Sequence, residues 1–399
     1  MGRHGWILAA AGLALSSAPV ATAQPVSAPE HTRAGQIEAQ QADKARAVAP
    51  YRPGPIEGLV RKIDEHLTAR QVRWHPFYGP AYHGAGVTAG AGYMFHTGDY
   101  DGLDVRAALS LNGSKRAEAE FRRPNLFRRR AALTVLGGWR EGFGQNFFGL
   151  GTAAGSRDDR TEFDFRQTYG SATLDARPRR RLVLAGGLEY LRYEQRGGSI
   201  TARYSADTLA GVGQRVDYFQ PHGRIALDWR PAADYARRGG AYGVTARRYI
   251  DAGGPFSFTQ VDYDLVQHLP VLRDAWVISL RARAETTFTG AGDAVPFFMM
   301  PFLGNATTLR GFRSTRFRDR QSLLLSAEWR ILLNASLDAA VFYDAGKVTG
   351  RRAELNLRGL KSDYGVGLRF HTPASTPLRF DLAHSNEGFR MVVGATAAF

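Results

Sequence analysis

The chain has 399 residues, a formal net charge of +15 and no cysteine. The lack of cysteine excludes disulfides, thiolate metal sites and a lipid anchor on an N-terminal cysteine. No stretch approaches about 18 consecutive apolar residues, so the sequence predicts no transmembrane helix.

The N-terminus has the pattern of an export signal. Arg3 and His4 precede an apolar run at residues 6–15, and Ala21-Thr22-Ala23 is a small-x-small cleavage site. The sequence predicts a signal peptide over residues 1–23. In an exported chain, nucleic acid is not an expected partner of the positive charge. Anionic lipid headgroups, lipopolysaccharide and acidic groups of the protein itself are expected instead.

Two further N-terminal segments precede the main domain. Residues 24–53 are polar, alanine-rich and aperiodic, which predicts a flexible periplasmic tail. Residues 54–70 predict a short amphipathic helix, with Pro55 in its first turn. Three roles stay open for this helix. It docks as a plug at the mouth of the next domain, it lies on the membrane surface, or it is a plain linker. Its apolar positions are Ile56, Leu59, Val60, Ile63 and Leu67.

In residues 71–399, apolar and polar side chains alternate along the chain with a period of two residues. In residues 276–288, apolar side chains such as Trp276 and Leu280 alternate with polar ones such as Arg281 and Glu285. A soluble sandwich would bury the apolar face, whereas a membrane barrel turns it to lipid and the charges to a wet interior. The alternation recurs with aromatic residues near strand ends, which favours the barrel.

The predicted fold is all-β, a transmembrane antiparallel β-barrel of sixteen strands. Fifteen strand-like runs are evident, and residues 72–79 supply the sixteenth, because bacterial barrels have even strand numbers. The other runs are 84–96, 103–112, 116–123, 131–141, 163–175, 182–194, 220–230, 241–250, 257–268, 276–288, 322–332, 339–348, 363–371, 378–385 and 389–399. The last of them ends in Phe399, a terminal aromatic of the kind that barrel-assembly machinery reads as a signal.

An arginine-rich loop, "LRGFRSTRFRDR" at 309–320, separates the eleventh and twelfth predicted strands. This loop and the strands after it resemble the bacterial surface antigen family, the barrels of BamA–TamA type. The loop tip matches that family's inward-folded (V/L)-R-G-(F/Y) tip, and a later strand matches its F-x-D-x-G pattern. The matching residues are Leu309, Arg310, Gly311 and Phe312 in the loop, Glu328 in "SAEWR", Phe342, Asp344 and Gly346 in "VFYDAGKV", and Phe399.

The resemblance is physically consistent with a locked loop. An arginine fork binds carboxylates through paired hydrogen bonds, and glycine lets a backbone approach a wall closely. Period two places Glu328 on the interior face and Asp344 on one face with Phe342, so both carboxylates are candidate partners of Arg310. The remaining arginines are expected to face water, acidic wall groups or lipopolysaccharide. The alternative is a solvated surface loop with scattered arginines.

The resemblance implies a protein of the Gram-negative outer membrane that assists assembly, insertion or translocation of protein or lipid. Its partners would be outer-membrane lipids and lipopolysaccharide, the barrel-assembly machinery during biogenesis, and a protein or lipid client. Only about 48 residues separate Gln24 from Val72, so the family's periplasmic POTRA domains are expected to be lacking. That casts doubt on protein insertion itself. A passive porin with a basic interior is the alternative.

No enzyme activity, metal or cofactor is predicted. His384, Ser385 and Asn386 are consecutive, but adjacent strand residues point to opposite faces and do not converge. The histidines at 75, 83 and 96 are too scattered to indicate a metal site.

Overall fold

The computed structural model describes residues 33–47, 58, 73–77, 79–98, 100–153, 159–272, 274–394 and 396–399. The chain forms two units, Met1–Pro53 and Gly54–Phe399. The predicted signal peptide lies outside the described residues, as does the predicted helix at 54–70 except for Gly58, which is helical.

The described part of the first unit is a helix, α1 (Arg33–Ala47). The sequence predicts a flexible tail over residues 24–53, because this segment has no apolar period. Its alanine, glutamine, arginine and lysine residues are strong helix formers, however, and intrinsic propensity explains the helix.

Sixteen strands of the second unit pair antiparallel in chain order. This confirms the predicted strand number. The strands are β1 (Trp74–Phe77), β2 (Thr88–His96), β3 (Gly102–Ser110), β4 (Lys115–Asn125), β5 (Ala131–Phe147), β6 (Thr161–Arg179), β7 (Leu182–Arg196), β8 (Arg215–Asp228), β9 (Gly239–Asp251), β10 (Phe258–Leu272), β11 (Trp276–Thr289), β14 (Gln321–Asn334), β15 (Leu337–Thr349), β16 (Lys361–Phe370), β17 (Leu378–Ser385) and β18 (Gly388–Gly394).

The connection between β11 and β14 holds a separate two-stranded ladder, β12 (Phe302–Leu303) with β13 (Phe317–Arg318). A single helical turn occurs at Ile200–Arg203, and 3₁₀ turns occur at Phe297–Met299 and Arg352–Glu354. Leu126–Arg129 forms a tight turn in which Phe127, Arg128 and Arg129 have positive φ. Among the helices in the described ranges, none has the length and hydrophobicity needed to cross a membrane.

The large sheet has an apolar outer face and a polar inner face. Leu280, Trp329 and Tyr343 are exposed, whereas their neighbours Ser279 and Glu328 are buried. This polarity is the reverse of that in a soluble sandwich and suits an outer face covered by lipid.

The sheet curves around the β11–β14 connection. Ser314 Oγ donates to the His83 carbonyl at 2.7 Å, before β2, and Arg316 Nε donates to Glu387 Oε1 at 2.6 Å, after β17. The β11–β14 connection thus contacts residues near the first strands and near the last strands of the sheet. It therefore lies on the inner, concave side of the sheet.

The two ends of the sheet differ in connection length. Two residues join β6 to β7 and β14 to β15, at the end where β1 begins, whereas 197–214 and 290–320 connect strands at the other end. Outer-membrane barrels have short periplasmic turns and long extracellular loops. The end with short turns is therefore called the periplasmic end.

The C-terminus departs from the predicted strand 389–399. Strand β18 ends at Gly394, and Phe399 lies outside the ladder. The backbone N–H of Ala397 donates to Asp234 Oδ1 at 3.0 Å, in the β8–β9 turn, so this N–H has a partner away from the sheet. The prediction that Phe399 ends a strand is wrong for this reason.

Candidate functional site

The tip of the β11–β14 connection is placed by the small ladder at its base. Phe302 pairs with Arg318 and Leu303 with Phe317, which brings the two arms of the loop together. Within the loop, the Asn305 side chain accepts the Thr307 N–H at 2.7 Å, a local turn that suits asparagine. The residues at 309–312 are thereby directed at strands β14 to β17.

Arg310 is bound by two carboxylates of the wall. Its Nε and Nη2 donate to Asp344 at 2.7 and 3.0 Å, and its Nη1 donates to Glu328 Oε2 at 2.8 Å. The guanidinium carbon lies 3.5 Å from the centre of the Phe342 ring, a cation–π arrangement. Arg310 is 1% exposed. The structure thus brings four of the residues singled out in the sequence into one buried contact, here called the arginine lock.

The electrostatics keep Arg310 charged. Burial alone would lower the pKa of Arg310, but the charges of Asp344 and Glu328 and their hydrogen bonds raise it above its ordinary value. The loop therefore enters the interior as a cation that its two partners neutralise.

Further charges enlarge the lock. Arg369 Nη2 donates to Glu328 Oε2 at 2.7 Å and its Nη1 lies 2.5 Å from Asp381. Arg379 Nη2 donates to the Ala306 carbonyl of the loop at 2.6 Å. Arg369, Arg379 and Asp381 are not among the residues that the sequence connects to the loop. Their contacts with the loop depend on the register between neighbouring strands, and the alternation within a single strand carries no information about that register.

Gly311 fits against the wall because it has no side chain. A Cβ at this position would lie 2.7 Å from Asp363 Cβ and 3.1 Å from Ser385 Cβ. The close approach lets Ser385 Oγ donate to the Gly311 carbonyl at 3.0 Å. His384, the neighbour of Ser385, instead contacts the rings of Tyr364 and Phe389, both exposed on the outer face.

The other motif residues complete the packing. Phe312 is buried and contacts Phe317 edge-on at 5.0 Å between ring centroids. A Cβ at Gly346 would lie 2.8 Å from Leu303 Cδ1, so this glycine leaves room for the base of the loop. The apolar cluster around the lock comprises Leu303, Leu309, Phe312, Phe317, Leu324 and Val348.

Two of the remaining loop arginines are buried. Arg316 pairs with the acidic Glu387, as expected for a wall group, and Arg318 Nη1 donates to the Phe297 carbonyl at 2.9 Å. Burial lowers the pKa of Arg318 to about 10. The expectation that these side chains face water, an acidic group or lipopolysaccharide is wrong for Arg318, because the loop folds back on its own backbone.

A second buried polar cluster lies at the periplasmic end. The β8–β9 turn, residues 229–238 and here called the strap, reaches β15 and β16. Tyr235 donates to Asp338 Oδ2 at 3.0 Å and stacks on His371 with 4.0 Å between ring centroids. Arg237 also donates to Asp338, at 3.1 Å. No local sequence pattern indicates this cluster, because Tyr235 and Arg237 lie in a turn, and their contact with Asp338 in β15 joins segments about 100 residues apart.

The strap also binds the C-terminal segment. Asp234 accepts the backbone N–H groups of Thr376 and Ala397 at 2.9 and 3.0 Å. Phe399 lines a small cavity with Glu328, Arg330 and Arg369. The C-terminus therefore lies beside the lock rather than along the edge of the sheet.

No group of histidine, aspartate and glutamate suited to a metal ion occurs in the part of the chain that the structure describes.

Comparison with known proteins identifies the fold. The family model described as the Omp85 superfamily domain matches residues 98–396. Among solved structures, BamA from Haemophilus ducreyi lacking POTRA domains 1–3 superimposes with a TM-score of 0.61 at 15% identity. That match covers 81% of this chain and 69% of BamA.

A second solved structure, CdiB from Escherichia coli, gives a TM-score of 0.52 at 13% identity, over 81% of this chain and 58% of CdiB. No curated protein sequence matches the chain. At these identities the two structures show a shared barrel fold.

Proposed function

Because the chain belongs to the Omp85 superfamily of outer-membrane barrels, we propose that it assists assembly, insertion or translocation of protein or lipid at the outer membrane. The observation that carries this proposal is the arginine lock. It fixes a long extracellular loop inside the barrel through a buried ion network, which a simple pore does not need.

The unequal strength of the strands supports a role in handling other chains. The lock ties the loop to β14, β15 and, through Ser385, to β17. By contrast, β1 pairs with β2 over only four residues and contains Pro76, which has no N–H to donate. β1 is thus a short edge strand at the opposite end of the strand order from the locked strands, and such an edge is one at which an incoming strand can pair.

The packing of the interior argues against the porin alternative. A cluster of buried aromatic residues, including Phe165 and Tyr193, packs against the arm of the loop at Phe297 and Phe298. A passive porin needs a continuous water-filled interior, whereas this cluster places apolar side chains there.

The proposed partners follow from the proposed role at the outer membrane. Outer-membrane lipids and lipopolysaccharide would surround the apolar outer face, and a protein or lipid client would be handled at the barrel. Phe399 is proposed as the signal read by barrel-assembly machinery during biogenesis of this chain, which requires it to be accessible before the C-terminus folds against the strap.

The test measures assisted folding of a second barrel. A urea-denatured outer-membrane β-barrel is diluted into liposomes containing this protein, and its folding is followed by heat-modifiable gel mobility. We expect faster folding than with empty liposomes and loss of that acceleration with Arg310→Ala. The matched control is Arg313→Ala, which removes an arginine of the same loop that is not part of the lock.

Ion conductance in planar bilayers separates the alternatives. Assisted folding with little steady conductance supports the proposal. No acceleration of folding, together with a large steady conductance in the wild-type protein, would favour the porin.

A further inference from the structure

Nine exposed arginines are concentrated at the periplasmic end, on two neighbouring turns and on the ends of β4 and β6 that lead into them. The β4–β5 and β6–β7 turns are adjacent because β5 pairs with β6, with Ala131 opposite Ala176, and the Arg177 N–H donates to the Arg130 carbonyl at 2.6 Å. This set is here called the arginine rim. It comprises Arg122, Arg123, Arg128, Arg129, Arg130, Arg177, Arg179, Arg180 and Arg181.

The charge of the rim is largely uncompensated. Among the described residues, Arg123 is the only rim arginine in an ion pair, with Asp101 at 3.5 Å. The nearby Asp228 pairs instead with Arg230, outside the rim, at 3.0 Å. The arginines of the lock, by contrast, lie beside carboxylates that neutralise them.

The rim borders the apolar outer face. Leu174, opposite Leu133 in the β5–β6 ladder and two residues from the Ala131–Ala176 pair, is exposed on that face. At about 3.3 Å per residue the apolar surface begins roughly 7 Å from this pair. Phe127, next to Arg128, is 73% exposed. Arginine heads beside an exposed aromatic ring at the end of an apolar belt match the depth of lipid headgroups.

We propose that the arginine rim binds the phosphate groups of anionic phospholipids in the periplasmic leaflet. The planar guanidinium presents paired donors that fit phosphate oxygens, and several of them side by side attract an anionic membrane surface. A soluble acidic protein would satisfy the charge. It would not account for the exposed Phe127 or for the continuity of the rim with the lipid-facing surface. The proposal is independent of the function proposed above.

Lipid selectivity of the full-length barrel tests this binding. The protein is reconstituted in phosphatidylcholine bilayers with a trace of spin-labelled phosphatidylglycerol or phosphatidylcholine, and the motionally restricted fraction of each label is compared. We expect a several-fold preference for phosphatidylglycerol that falls in about 0.5 M salt, where screening is strong.

The variant Arg128→Gln, Arg129→Gln, Arg130→Gln should lose much of the preference, and the corresponding lysine variant should retain most of it. The matched control removes three exposed arginines at the opposite end, with Arg351→Gln, Arg352→Gln and Arg358→Gln. Heat-modifiable mobility verifies that each variant is folded.

Two results would overturn the proposal. Equal restriction of the two lipids by the wild-type protein would leave the rim as a surface for an acidic soluble partner. An equal loss of preference in the control variant would show that general positive charge, rather than the rim, selects the lipid.

Discussion

At the residue scale, the lock depends on arginine geometry. Arg310 directs three nitrogens at two carboxylates while its planar face lies on Phe342. A lysine offers a point charge without the fork or the flat face, so it cannot reproduce both contacts. The pairing of Arg310 with wall carboxylates could be predicted from the motif and period two. The depth of burial could not, because it depends on how the loop and four strands pack together.

Gly311→Ala tests the closeness of the loop to the wall. The added Cβ would lie 2.7 Å from Asp363 Cβ, so the loop backbone must move away. We expect a loss of about 1–3 kcal/mol in the free energy of unfolding, typical of overpacking. Urea unfolding in detergent, followed by tryptophan fluorescence, measures it.

The control is Gly253→Ala in the β9–β10 loop, where a Cβ has no atom within 4 Å. It should leave the free energy of unfolding nearly unchanged. Equal stability of the two variants would show that Gly311 does not need its close contact.

At the scale of elements, the sequence predicts the strands well and the connections poorly. Period two identifies β11 and β14 because each strand exposes one apolar face to the outside and a polar face to the interior. The two-residue strands β12 and β13 are too short to have a period. The strap and the inward C-terminus are fixed by hydrogen bonds between distant segments, which no local pattern contains.

The strap gives a prediction at this scale. The double variant Asp234→Ala, Tyr235→Phe removes the acceptor for Ala397 and the hydroxyl bound to Asp338, while keeping the ring on His371. Each lost hydrogen bond costs about 1 kcal/mol. We expect lower heat resistance and a higher conductance in planar bilayers, because the strap no longer connects β8–β9 to β15 and β16 across the periplasmic end.

The control for the strap is Arg238→Ala, an exposed residue at the end of the same turn. It should change neither property. If the double variant also keeps the wild-type conductance and heat resistance, the strap does not hold the periplasmic end closed.

At the scale of the whole molecule, the fold inverts the usual distribution of polarity. Apolar side chains such as Leu280 face outward, and the interior holds charges that neutralise one another, as Glu328 and Asp344 do for Arg310. The fold class and fifteen of the strands could be predicted from this pattern, and the sixteenth strand from the even strand number of bacterial barrels. The arrangement of side chains in the interior could not be predicted from the sequence. It depends on which strands the 31-residue connection 290–320 contacts.

The most direct test of the lock is a double-mutant cycle between Arg310→Ala and Asp344→Ala, read as the free energy of unfolding in urea. Removing Arg310 leaves the buried Asp344 without its ion-pair partner and leaves Glu328 paired with Arg369 alone. We expect a loss of about 3–5 kcal/mol, whereas Arg313→Ala should cost much less. Direct contact predicts that the two changes are not additive, with a coupling free energy of about 1–3 kcal/mol. Strictly additive effects would contradict a loop locked by Arg310.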